Sequence, residues 1–257
     1  MNQPALQVSI PNTLLPFVPL TLMEKFKSWI GIELDEVSVT EKVVSMLGGL
    51  VAIVLIASIS QHILHWNGSA MIIASMGASA VLLFAVPHGQ LSQPWPVIAG
   101  HGFSAVIGIL CARYIPHVAL AAGCAVGLAI GVMHQFKCIH PPGGATALTA
   151  VIGGPGIHSL GFSFVWKPVL LNALAILVVA VVFNFAFKWR RYPAAFNRPR
   201  RPQAGVSRIS HAEVLTAVRS LDSFVDITEE DLIRLCEVIA QSQSAAQKSA
   251  APAVVQP

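Results

Sequence analysis

Apolar and polar positions first fall at helical spacing in residues 22–36, after a segment where Pro4, Pro11, Pro16 and Pro19 oppose any helix. The mixture of apolar and charged residues there predicts an amphipathic helix, extending over 22–42, on a membrane surface or against a bundle. Beyond it the pattern changes to long apolar runs. Residues 43–64 would rise about 33 Å as a helix, enough for a hydrocarbon core of about 30 Å. Residues 96–114, 117–136 and 168–187 are likewise long enough to span. Two runs between them are shorter. Residues 70–86 would rise about 25 Å, and 141–152 only about 18 Å. The first is bounded by Asn67-Gly68 and Pro87, the second by Pro141 and Gly153-Gly154-Pro155. The predicted architecture is an all-α membrane protein of four full transmembrane helices plus two short Gly/Pro-bounded helical segments.

The short segments resemble each other. Gly77-Ala78-Ser79-Ala80-Val81 and Gly144-Ala145-Thr146-Ala147-Leu148 match at an offset of 67 residues. Each is followed by a proline and then by a Trp-Pro or Trp-Lys-Pro entrance to the next span. A twofold internal repeat follows, over about 43–115 and 117–188. Broken segments at corresponding positions of two halves point to a transporter binding site. If the short segments re-enter the membrane there are four crossings, and if they cross there are six.

Composition agrees with the pattern. The chain is 54% hydrophobic and 11% charged, against about 25% charged in soluble domains. Disordered, collagen-like and disulfide-framework classes are excluded, and runs without alternation argue against a strand barrel. Cys111, Cys124, Cys138 and Cys236 have no ligand-like spacing and read as packing residues. Residues 1–21 form an N-terminal extension and 43–189 the transmembrane domain. A basic linker (190–209), a short helical region (210–241) and a disordered tail (242–257) follow. Lys188, Arg190 and Arg191, with Arg198, Arg200, Arg201 and Arg208, read as a cytoplasmic flank rather than a nucleic-acid site. Both termini are then cytoplasmic, and the expected location is a bacterial inner membrane.

Charge sharpens the function. Residues 42–212 contain no Asp or Glu, a poor provision for metal cations, which need oxygen ligands. The same stretch holds Arg113, Lys137, Lys167 and, between residues 62 and 158, eight histidines. In Lys137-Cys138-Ile139-His140-Pro141-Pro142-Gly143-Gly144-Ala145-Thr146, proline suits a helix start. The N–H groups of Gly143, Gly144, Ala145 and Thr146 would then be free to hold an anion. Lys137 reads as a snorkelling anchor or as part of an electropositive vestibule, and His134 could titrate with anion entry. His101, inside a span, is expected to pair with a neighbouring carbonyl. Gly123, Gly127 and Gly131 form a stripe for close helix packing, within or between subunits.

Taken with Gly77-Ala78-Ser79-Ala80-Val81-Leu82-Leu83-Phe84-Ala85-x-Pro87 and Gln93-Pro94-Trp95-Pro96, the His140-Pro141-Pro142 triplet resembles the signature of the HPP family of integral membrane proteins. The resemblance covers roughly residues 25–190. It implies a compact domain of four transmembrane helices, and some members from plastids and cyanobacteria are associated with nitrite transport. Some bacterial relatives carry C-terminal CBS domains; the short segment here gives no expectation of nucleotide regulation.

The resulting expectation is a transporter or channel for a small, nitrite-like anion in a lipid bilayer, as a homo-oligomer. Its site comprises His140, Gly143, Gly144, Ala145, Thr146, Gly77, Ala78, Ser79, Lys137 and His134. No cofactor, metal or nucleic acid is expected, and no acid/base pair or nucleophile suggests an enzyme. The alternative is a membrane sensor or scaffold whose C-terminal region binds a soluble partner.

Overall fold

A computed structural model of the 257-residue chain describes residues 22–30, 37–64, 74–197 and residue 232. The readings for 1–21, for 198–209 of the linker, for 210–241 apart from Leu232, and for 242–257 lie outside the described residues. The chain divides into two units, Met1–Ser38 and Val39–Pro257. In the first, α1 (Leu22–Trp29) exposes Leu22, Met23, Phe26 and Trp29. The helix predicted over 22–42 is therefore two pieces: α1 stops at Trp29, and Val39–Lys42 belong to the next helix.

The second unit is all-helical among the described residues. Its order is α2 (Val39–Leu64), α3 (Ala74–Ala85), α4 (Pro94–Tyr114), α5 (Val118–Gln135), α6 (Pro141–Ile152), α7 (Gly154–His158) and α8 (Leu171–Phe185). Four stretches are long and apolar enough to cross a membrane: Val39–Ser60, Pro94–Tyr114, Val118–Gln135 and Val165–Phe185. The last begins before Pro168, where the sequence places its start. A π turn, Val165–Leu170, takes Pro168 inside the helix and so accommodates the missing N–H. Burial is one-sided along these helices. On α8, Ala173, Ile176 and Ala180 are buried, while Leu174, Val178 and Val182 face outward. So large an apolar exterior suits lipid, not water.

The centre is α4, packed against both α5 and α6. Its approach to α6 is a backbone contact. A Cβ on Gly108 would lie 2.5 Å from the Ala147 carbonyl oxygen, and one on Gly143 2.9 Å from the Gly100 carbonyl oxygen. The glycine stripe of α5 is not used in this way. No described residue lies within 4 Å of a Cβ built on Gly123, Gly127 or Gly131, and α5 instead buries Ala121, Ala125, Ala129 and Met133. Close packing through that stripe within the subunit is thus corrected.

The C-terminal carbonyls of α3 lie inside the body and need donors that lipid cannot supply. The Leu82 carbonyl accepts from the Val86 N–H at 3.0 Å, and Ser92 Oγ lies 2.7 Å from the Val86 oxygen. Two side chains from a distant segment serve the next carbonyls: Asn184 Nδ2 donates to Leu83 at 3.2 Å, and Arg190 donates to Phe84. The same Arg190 guanidinium is paired with Glu41 and donates to Ser45 Oγ at 2.9 Å. Tyr192 is buried and donates to the Ser92 carbonyl at 2.6 Å; burial pushes its phenol pKa upward. Arg190 and Tyr192 are therefore structural staples, which corrects the reading of Arg190 as a juxtamembrane charge at the start of a linker.

Gly108→Ala should force α4 and α6 apart and destabilise the protein by about 1–3 kcal/mol. Gly127→Ala, with open space at its Cβ, should not destabilise it. Thermal unfolding in detergent compares the two.

Candidate functional site

Where α3, α4 and the start of α6 meet, six polar side chains are fully buried: Ser75, Ser79, His101, Ser104, His140 and Thr146. Helix periodicity explains the convergence. Ser75 and Ser79 are four residues apart on α3, and His101 and Ser104 three apart on α4, so each pair shares a face. His140 is the N-cap of α6, and Thr146 lies farther along the same helix. The α4–α6 glycine contact then brings the His101 and His140 rings edge to face, with centroids 4.8 Å apart.

A continuous set of hydrogen bonds links five of the six. Ser79 Oγ lies 2.9 Å from His101 Nε2 and 2.9 Å from His140 Nε2. His101 Nδ1 lies 2.8 Å from Thr146 Oγ1, which is 2.9 Å from Ser75 Oγ. His140 Nδ1 lies 2.8 Å from the Leu91 carbonyl oxygen. Ser79 Oγ is also 3.0 Å from the Ser75 carbonyl oxygen. Ser104 Oγ, buried beside Gly143, has no hydrogen-bond partner among the described residues. His101 thus bonds to two hydroxyls, not to the carbonyl expected of it.

Of the residues singled out in the sequence, the structure brings together His140, Ser79 and Thr146. Ser79 and Thr146 occupy matching positions in α3 and α6, two helices that begin 67 residues apart and are each 12 residues long. Gly143 packs against α4. Ala78 faces outward, Gly77 lines a groove against α2, and Ala145 is half-buried. Gly144 lines a separate cavity with His134, Met133 and Pro141. The free backbone donors proposed for these segments are not there. Pro141 and Pro142 have no N–H, and the Gly143 N–H donates to the His140 carbonyl at 2.8 Å. Gly77, Ala78 and Ser79 lie in the body of α3, which begins at Ala74. The buried cluster is made of side chains.

Ser75, Ser104 and the Leu91 carbonyl were missed. Ser75 and Ser104 carry a weak signal, a small polar residue one turn from Ser79 or His101 on the same face. The Leu91 carbonyl carries none.

Cationic cavities lie toward both ends of α4. One, of about 310 Å³, is lined by Gln90, Pro96, His134, Lys137 and Ile139. The other, of about 350 Å³, is lined by Ile109, Ala112, Arg113, Ala150, Ile157 and His158, among others. Lys137 closes α5 with φ +52°, a left-handed position that glycine usually takes.

A family model described as HPP, transmembrane region, matches residues 34–193. Two transmembrane proteins of Dictyostelium discoideum are 32% identical over 182 residues and 33% identical over 189, each alignment taking in 68% of this chain. The alignments cover 58% and 64% of those proteins' own lengths, less than two thirds of either. Both relatives are eukaryotic and lend no support to a bacterial inner membrane. No solved structure matches the chain.

Ser79→Ala should leave both imidazole Nε2 atoms unsatisfied and lower stability by about 1–3 kcal/mol. Ser104→Ala, removing a hydroxyl without a partner, should leave the unfolding temperature unchanged or raise it. Thermal unfolding of both variants checks the contrast.

Proposed function

The chain belongs to the HPP family of integral membrane proteins, and from that premise we propose that it carries a small inorganic anion, of nitrite type, across a membrane. The observation that carries this reading is the order of features along α4. Pro96 borders the cavity with Lys137 and His134; His101 and Ser104 follow, in the buried cluster; Ile109, Ala112 and Arg113 border the cavity with His158. At 1.5 Å per residue, the cluster is separated from each cavity by about 7–8 Å of helix.

Each part suits an anion. Lys137 and Arg113 make both mouths electropositive, which concentrates anions at them. Between the mouths the lining offers imidazoles and hydroxyls but no carboxylate, because residues 42–212 contain none. Ser104 supplies a donor that no described residue uses. Polar groups this deep in a membrane body mark a transport pathway more often than a packing device. The matching placement of Ser79 and Thr146 in two equal helices is what a binding site between inverted or parallel repeats requires.

Lys137 bears on the same reading. A lysine in a left-handed conformation costs about 1–2 kcal/mol that glycine would avoid, so its charge at the cavity is what the position retains. The purified protein in liposomes should take up nitrite faster than protein-free liposomes and with saturation. Lys137→Gly should be at least as stable as the parent yet slow that uptake several-fold. Absence of protein-dependent uptake of nitrite, nitrate, formate and chloride by folded protein overturns the proposal; unchanged uptake in Lys137→Gly removes the lysine from the pathway.

A further inference from the structure

The direction of every hydrogen bond in the buried cluster follows from one end of it. The Leu91 carbonyl can only accept, so His140 Nδ1, 2.8 Å away, carries a hydrogen. Nε2 of the neutral ring is then bare and accepts from the Ser79 hydroxyl at 2.9 Å. With its single hydrogen spent there, Ser79 must accept from His101, whose Nε2 lies 2.9 Å away and therefore carries the hydrogen. His101 Nδ1 is then bare and accepts from Thr146 at 2.8 Å. Thr146 in turn accepts from the Ser75 hydroxyl, 2.9 Å away, since either member of a hydroxyl pair can donate. The opposite tautomer of His101 would leave two bare ring nitrogens competing for one Ser79 hydrogen.

The same geometry accepts one further proton. If His140 Nε2 gains it, that nitrogen donates to Ser79 Oγ while Nδ1 still donates to Leu91. The Ser79 hydrogen turns to the Ser75 carbonyl oxygen, 3.0 Å away, and its two lone pairs receive both imidazoles. No buried group loses a partner, and the only movement is one hydroxyl rotation. A second proton is opposed by like charge, because the ring centroids are 4.8 Å apart.

The surroundings decide what balances that charge. Neither α3 nor α6 carries a titratable side chain, and α4 brings only His101 to His140. The segment before α4 contributes the Leu91 carbonyl and also holds His88. At the end of α5, His134 and Lys137 are exposed, and Cys138 is buried two residues before His140. None of these is an anion. A buried imidazolium without a counter-charge is costly, so the proton and a monovalent anion each favour the other's binding, and by equal amounts.

We propose that Ser75, Thr146, His101, Ser79 and His140 form a proton relay that binds one proton with each anion, making transport an electroneutral proton–anion symport. The coupling rests on the transport reading above; the relay does not. Two measurements separate them. In liposomes with a trapped pH dye and a potential clamped by potassium and valinomycin, protein-dependent nitrite uptake, corrected for protein-free liposomes, should bring in one proton per nitrite. It should ignore the potential and accumulate nitrite about tenfold per unit of inside-alkaline gradient. Uptake driven by the potential and indifferent to pH overturns the coupling and keeps the transport; no uptake overturns the transport. Nitrogen-15 NMR of histidine-labelled protein tests the relay directly. At neutral pH, the signal lost in His140→Gln should be the Nδ1–H tautomer and that lost in His101→Gln the Nε2–H tautomer. A shared tautomer, or two imidazolium signals on acidification, overturns the relay.

Discussion

The backbone contact between α4 and α6 sets everything else in the body. Gly100, Gly108 and Gly143 leave no room for a Cβ between the two helices. Because the chains can approach that closely, a histidine near the start of one and a histidine at the cap of the other stack edge to face. Their outer nitrogens then fall within reach of a single serine on a third helix. A separation wider by the width of one methyl group would break those bonds together, since each is already 2.8–2.9 Å long and none has slack.

Lipid adds a second demand. A helix as short as α3 ends inside the body, and its last carbonyls have no water to bond. Asn184 and Arg190, 101 and 106 residues away along the chain, bond the Leu83 and Phe84 carbonyls. Arg190 requires a counter-charge at that depth, and Glu41, the last acid before the carboxylate-free stretch, provides it. The one described ion pair is therefore used to hold the framework at the end of α3, away from the histidine cluster. What remains in the cluster is neutral, polar and without an acid.

The sequence pointed to helix-end amides as the polar feature of the core, and the structure buries a cluster of polar side chains there. Two consecutive prolines remove the very donors that would have been free at the start of α6, and His140 turns its carbonyl onto the next one. With the backbone closed, the imidazole of His140 faces inward and meets Ser79. The triplet that makes the sequence recognisable thus works as a unit. The prolines seal the helix end, and the histidine joins the buried cluster.

The length of the apolar runs was enough to identify a membrane protein with four spans, because spanning is a matter of rise per residue and transfer energy, both local properties. The short helix Pro141–Ile152 was legible to its ends, since proline and glycine act on their own neighbourhood. The equivalence of Ser79 and Thr146 was also legible as an offset along the chain. What the sequence could not show is which faces meet. A glycine signals that a close approach is allowed, not with what. The stripe at Gly123, Gly127 and Gly131 therefore makes no close approach within the subunit, while Gly100 and Gly108 went unremarked. The same holds for Arg190, whose partner is 149 residues away. Ser75 and Thr146, 71 residues apart, become neighbours only through packing of whole helices. Residue types and helical periods were local facts and could be read; the site is made of distances between elements, and those were decided by the tertiary fold.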